Sequence, residues 1–448
     1  MEMLIQKYNQ PIPRYTSYPT VPNWNSWDNA AHWTDLVQKA YQLYPKAEGI
    51  ALYIHLPYCE QLCTYCGCNK KITSNHAVEQ PYIGQLLREW EQYVAAFGNR
   101  PLIRELHLGG GTPTFFAPEQ LERLINGLFT LADRHPEAEL SFEGHPNNTT
   151  EAHLRSLYTL GFRRVSYGVQ DLDPEVQRLI NRIQPFERVE EVCRISRETG
   201  YNSVNFDLIY GLPKQSLTGL RQTISQVVTL KPDRIAFYGY AHVPWKSRAQ
   251  RLYDEQDLPS PAERVALYMS GRELLLDAGY IELGMDHFAL PGEALARAAV
   301  EKRMHRNFMG YTTSNSRMLI GLGVSAISDL GIAFGQNSRE LVQWQRAVEA
   351  GEWAIVKGME LTVEDMQRRQ LILDMSCKNE THLPACWRFT EAQQQLMQQM
   401  LTDELLIKKG NFLRISDKGR LMTRHACSLF DGYLQPEQQG VLRFSQAI

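Results

Sequence analysis

Six short runs of β-forming residues punctuate the first half of the chain: IALYIH from Ile50, RELHL from Arg104, AELSFEG from Ala138, RRVSYGV from Arg163, SVNFDLIYG from Ser203 and RIAFYGY from Arg234. Helical patterns such as PYIGQLLREWEQYVAAF, APEQLERLINGLFTLADRH and PFERVEEVCRISRETG lie between them. Strands that alternate with helices pair in parallel, because only a crossover of helical length returns the chain to the same edge. The expected fold is therefore α/β, a full or partial (β/α) barrel spanning residues 49–345. Past about residue 345 the alternation stops. A helix after the capping sequence Thr362 to Asp365, a second through EAQQQLMQQMLTDELL, a hairpin in KKGNFLRISDKGR and a last helix in LMTRHACSLFDGYL predict a small, mainly helical domain over 346–448, winged-helix-like in character. Residues 1–48, with Pro11, Pro13, Arg14 and Pro19, read as an irregular extension lying over the barrel mouth.

Directly after the first strand, residues 55–70 read HLPYCEQLCTYCGCNK and carry four of the chain's eight cysteines, Cys59, Cys63, Cys66 and Cys68. The chain starts MEMLIQKYNQPIPR, without an apolar signal-peptide core, and no run approaches the roughly 20 apolar residues of a membrane span. The expectation is a soluble cytoplasmic protein, in which a tight cysteine group holds a metal or does redox chemistry and does not form disulfides. Zinc sites come as two Cys/His pairs separated by a loop, whereas C-x-x-x-C-x-x-C offers three thiolates from one loop. Three soft ligands suit an iron–sulfur cubane with one iron left open, the alternatives being a buried cysteine patch or an adventitious zinc site. The other cysteines, Cys193, Cys377, Cys386 and Cys427, are isolated and read as small core residues.

The remaining candidates fall where a parallel barrel places its site, at the C-terminal ends of strands. H-L-G-G-G-T-P-T follows the second strand, Glu143 the third, Gln170 the fourth and Asp207 the fifth. The glycine run has neither a P-loop lysine nor G-x-G-x-x-G spacing, which argues against phosphate; it is either a tight turn or a place where backbone approaches a ligand closely. With 47 basic and 50 acidic side chains the net charge is −3, too weak a field to imply nucleic acid or an anionic membrane as partner.

The cysteine spacing, with an aromatic before the last ligand, resembles the radical S-adenosylmethionine (SAM) superfamily. The chain as a whole resembles the oxygen-independent coproporphyrinogen III oxidase (dehydrogenase) family, in P-R-Y-T-S-Y-P-T (13–20), C-G-C-N-K, H-L-G-G-G-T-P-T, G-V-Q-D, N-F-D-L-I-Y-G-L-P-K-Q, Y-A-H-V-P, G-M-D-H-F, H-R-N-F-x-G-Y-T-T and G-L-G-V-S-A-I-S. The resemblance implies that Cys59, Cys63 and Cys66 bind a [4Fe–4S] cluster whose open iron takes SAM. Tyr53, Gly110, Glu143 and Ile327 then match contacts to this first SAM. Tyr65, Gly111, Thr112, Gln170, Arg182, Asp207 and Ala241 match contacts to a second. Cys68 matches a cysteine needed for activity without being a ligand, so Cys68 and Glu143 are the expected catalytic residues. The implied reaction converts two propionates of coproporphyrinogen III to vinyl groups with loss of CO2, giving protoporphyrinogen IX for haem. It also implies a monomer reduced by a donor such as flavodoxin or ferredoxin. A related haem-trafficking chaperone family and other radical SAM tetrapyrrole enzymes are the alternatives; the chaperones lack the 13–20 motif and a counterpart of Cys68. Two departures stand out: E-G-H-P-N puts His145 and Asn147 where the family often has an acid and a base, and Met309 replaces a glutamine.

Overall fold

The computed structural model describes residues 4, 7–8, 10–27, 29–245 and 247–434. All six expected strands form: β1 (Ile50–Leu56), β2 (Leu102–Gly110), β3 (Asp133–Gly144), β4 (Arg164–Gln170), β5 (Ser203–Tyr210) and β6 (Arg234–Gly239). They stand side by side in chain order, each parallel to the next. β1 is buried almost throughout, as befits a strand covered on both faces. Helices cover the outside, and their boundaries follow local chemistry. Gly98 in the left-handed region, φ 69°, ends Glu79–Phe97, Thr150 and His153 box the start of Glu151–Thr159, and Ser216 caps Leu217–Thr229.

The sheet continues beyond β1 through β7 (Leu319–Leu322), parallel to β1, and then through antiparallel β8 (Ile327–Asp329), β9 (Ala333–Asn337) and β10 (Ile355–Glu360) to a two-residue strand, Asn25–Ser26. At the other end β6 pairs with His287–Ala289, which pairs with Ile281–Leu283. The terminal strands do not pair with each other, so the barrel is partial. Two features depart from the sequence reading. The sheet runs past residue 345, because β10 zips antiparallel onto β9. The extension is also less irregular than its prolines suggest: Ala30–Leu43 is a helix capped by Asn29, and it buries Trp33, Leu36, Val37 and Ala40 in the main core.

The C-terminal unit carries the expected helices Val363–Lys378 and Glu391–Thr402, each started by a threonine capping box. The hairpin Leu406–Lys409/Phe412–Ile415 gains a third strand, Glu380–His382. The last expected helix is short, Thr423–Ser428, since the preceding turn Arg420–Met422 is 3-10. Tyr8, Ile12, Tyr15 and Tyr18 complete this unit's core, with Tyr15 hydrogen-bonded to Asp431 and Tyr18 to the Gly432 N–H. Cys193, Cys377 and Cys427 are buried as expected; Cys386, on a loop, is exposed instead. No helix among the described residues is long and apolar enough to cross a membrane.

One buried acid ties the sheet to its cover. Glu89 accepts hydrogen bonds from the Gly323 N–H (2.7 Å), the Asn337 amide (2.6 Å) and the Trp344 indole (3.2 Å). Burial outweighs these donors and pushes its carboxyl from 4.5 up to about 7. With its folded value above its unfolded one, this group's contribution to stability is present below about pH 4.5 and lost as the pH rises through 7. Glu89→Ala strands three donors and should cost about 3–5 kcal/mol in denaturant melts. Glu89→Gln should flatten the stability profile between pH 4.5 and 7.

Candidate active site

The cysteine loop leaves the end of β1 and is stapled at several points. The Gly111 N–H donates to Leu56 O (2.8 Å) and the Thr112 N–H to Tyr58 O (3.0 Å). On the opposite side the Thr64 N–H donates to Ile180 O (3.0 Å), and Asn181 donates to Leu62 O (2.8 Å). His55, buried beneath, bonds Asn69 O (2.8 Å) and the Tyr53 hydroxyl (3.1 Å).

These contacts explain the glycine run in a way neither sequence reading foresaw. A Cβ on Gly110, whose φ is 113°, would sit 2.6 Å from the His55 ring, and one on Gly111 would sit 2.6 Å from Pro57 carbonyl atoms. One on Gly109 would crowd Glu143 and Tyr53. The run lets β2 press against the cysteine loop, and the close approach is to protein backbone and imidazole.

A cavity of about 340 Å³ opens at this end of the strands. Cys59, Cys63, Tyr65, Cys66, Cys68, Gly110, Gly111, Thr112, Glu143, Gln170, Arg182 and Asp207 all line it, although they come from five strand ends. Tyr53, Ile327 and Ala241 do not. Tyr53 lies one layer behind Gly109, and Ile327 lies on β8, packed against Gly321, the β7 partner of Tyr53. Ala241 is joined to the cavity wall by Gln250, a residue the sequence did not single out, whose amide donates to both Tyr65 O (2.9 Å) and Ala241 O (3.2 Å).

The four thiols are free. Thr112 donates to Cys59 Sγ (3.3 Å) and Arg182 Nη1 to Cys63 Sγ (3.5 Å), so two of them already face donors suited to thiolates. A hydrogen bond from Cys68, against the opposing effect of burial, brings Cys66 down to about 6. Among the described residues no group of His, Cys, Asp or Glu is spaced to hold a single metal ion. Three thiols from one loop on the wall of one cavity suit a cubane with one iron left open.

The charged wall is arranged in opposites. Glu143 accepts from the Gly110 N–H (3.1 Å) and approaches His107 Nε2 at 3.5 Å. Burial raises its carboxyl, but His107, Gly110 and His55 overcome this and hold it below the usual range. Asp207, which accepts from Ser166, is pushed to about 7 by burial and by the charge of Glu143, against the pull of Ser166 and Arg182. Arg182 donates Nη2 to Gly168 O (2.6 Å), while its buried Nε has no partner. Gln170 ends β4 with φ 67°, at a register shift opposite Leu208, a conformation that costs a non-glycine residue energy and is kept where a side chain must be aimed. Burial and Arg182 press His145 down to about 2, so it stays neutral on the cavity wall. Asn147 donates to Ile183 O (2.9 Å). Met309 lines a second chamber of about 210 Å³, deeper in the barrel, whose wall shares Glu143, Ser166, Asp207 and Tyr238 with the first.

Comparison with known proteins adds a family. Residues 53–227 match the radical SAM superfamily. The oxygen-independent coproporphyrinogen III oxidase of Pseudomonas aeruginosa is 37% identical, with 99% of this chain and 98% of the relative aligned. The Escherichia coli protein of the same description is also 37% identical, over 99% and 98%. A solved structure of coproporphyrinogen III oxidase from Escherichia coli, described as a radical SAM enzyme, superimposes with a TM-score of 0.89 at 36% identity, covering 95% of this chain and all of that one.

Proposed function

This chain belongs to the oxygen-independent coproporphyrinogen III oxidases of the radical SAM superfamily, and from that membership we propose how its own residues divide the work. The reaction is the oxidative decarboxylation of two coproporphyrinogen III propionates to vinyl groups in haem biosynthesis, with a [4Fe–4S] cluster and SAM as cofactors. Cys59, Cys63 and Cys66 hold the cluster, and Cys68 stays a free thiol beside it. Together the cluster and SAM supply a radical able to take a hydrogen atom from a propionate β-carbon. Glu143, kept ionised by His107 and Gly110, receives the cationic amino group of the first SAM, backed by Tyr53, Gly110 and Ile327. Asp207, Arg182 and Gln170, with Tyr65, Gly111, Thr112 and Ala241, hold a second SAM. The carboxylate takes hydroxyl donors, and the unpartnered Arg182 Nε takes an anion. His145 and Met309 leave this set of charges intact, since one is neutral and the other lines the deeper chamber.

The observation that carries this reading is convergence: three thiols, a depressed carboxyl, a raised carboxyl and a half-bonded arginine from separate strand ends share one cavity. Free thiols throughout the described chain favour a reducing, cytoplasmic setting, with a one-electron carrier such as flavodoxin or ferredoxin as reductant. Anaerobically reconstituted protein given coproporphyrinogen III, SAM and a reductant should form protoporphyrinogen IX through a tricarboxylic intermediate. Absence of decarboxylation, together with stoichiometric haem binding, would assign the chain to haem trafficking instead.

A further inference from the structure

Four arginines distant in sequence, Arg14, Arg264, Arg306 and Arg424, meet beside the C-terminal end of β6. Arg14 donates to Gly239 O (3.1 Å), and a Cβ on that glycine would lie 2.9 Å from Arg264 Nη2. Arg306 donates to Arg14 O (2.9 Å), and Arg424 binds the carbonyls of Ile12 and Pro13. Among the described residues Arg14, Arg264 and Arg306 have one ion-pair partner between them, Asp286, and it is 3.8 Å from Arg14. The Arg264 side chain makes no hydrogen bond or ion pair there, and its Nε is buried and unpartnered. Arg306 is only 7% exposed, and its Nε is unpartnered too. Backbone carbonyls offer dipoles but no charge. A guanidinium does not escape burial by losing its proton, so a cluster of this kind is short of anions.

Three of these guanidinium groups also lie over a tyrosine: Arg14 over Tyr238 at 5.7 Å, Arg306 over Tyr311 at 5.0 Å and Arg264 over Tyr210 at 5.9 Å. Tyr238 lines both chambers of the site and Tyr311 lines the deeper one, with His287 in edge contact with both rings. The arginines therefore stand just behind the wall of the reaction cavity, on the far side of the six-strand array from the cysteine loop.

We propose that Arg14, Arg264 and Arg306 form a clamp for carboxylates of the tetracarboxylate substrate, holding propionates that are not at the reacting centre. The inference rests on the reading of this chain as a coproporphyrinogen oxidase. Its shared chemistry is carboxylate recognition, and SAM, which also carries a carboxylate, is the competing source.

The test uses reconstituted holoenzyme and coproporphyrin III, the oxidised and unreactive tetracarboxylate, as probe. Arg264→Gln and Arg306→Gln should each weaken probe binding about tenfold, the loss of one charge-assisted contact. Cluster absorbance and SAM affinity should stay unchanged. The tetramethyl ester of the probe should bind parent and variants alike and poorly. Arg317→Gln, which removes a cation stacked on Tyr44 outside the cluster, should bind the probe like the parent. Probe affinity within twofold of the parent in both variants would overturn the clamp, as would a loss of SAM affinity in place of porphyrin affinity. If Arg306→Gln fails to fold, Arg264→Gln decides, because that side chain has no bond among the described residues to lose. A parent that binds the probe but never decarboxylates coproporphyrinogen would refute the enzymatic reading alone.

Discussion

Replacing Cys59, Cys63 or Cys66 by alanine is expected to abolish the broad visible absorption of the anaerobically reconstituted protein and to reduce SAM cleavage to background. Cys68→Ala is expected to keep the absorption and lose decarboxylation. Cys59, Cys63 and Cys66 face one cavity from a loop held at Leu56, Tyr58, Leu62 and Thr64, which presents all three thiols where a cluster would sit. Cys68 lies two residues beyond Cys66 and hydrogen-bonds to it, a spacing too short for both to serve one cubane. Iron and sulfide counts per chain check the outcome alongside the spectrum. An intact cluster without Cys63, or a missing one in Cys68→Ala, would reverse the assignment.

The second large effect concerns SAM stoichiometry. Equilibrium binding to the reconstituted protein should give two SAM per chain, and Asp207→Ala should leave one. The pH dependence follows from the environment of the acid. Burial and the Glu143 charge hold Asp207 near 7 before ligand binds, and a ribose hydroxyl donates best to the ionised form. Affinity at the second site should therefore rise about tenfold between pH 6 and pH 8 as the carboxylate population grows, while affinity at the Glu143 site, held ionised throughout, stays level. A flat profile at both sites, or one SAM per chain in the parent, would remove Asp207 from this role.

Much of the architecture is written in local pattern. The six strands and the threonine-capped C-terminal helices are set by neighbouring residues, and the strand ends carry most of the site with them. What escaped the sequence depends on residues far apart. The need for three consecutive glycines comes from His55 and Pro57 packed across from them, and no rule about turns contains that contact. Gln250, reaching from a 3-10 segment to two loops, leaves no periodic mark. The arginine cluster is assembled from positions 14, 264, 306 and 424, of which only Arg14, in the proline-rich segment, stands out in the sequence as a cation suited to a carboxylate. The helix at Ala30–Leu43 was masked by the proline-rich run before it, and β10 by the helix Leu341–Glu349 that separates it from β9.

The packing of Tyr8, Ile12, Tyr15 and Tyr18 into the core formed by Leu371, Met375, Leu413 and Phe430 has a consequence for folding. This segment is slow to find its place, because its partners lie some 400 residues further along the chain and that long loop must close first. Until those partners are in place the segment has only its barrel contacts to hold it, such as that of Arg14 with Gly239 O.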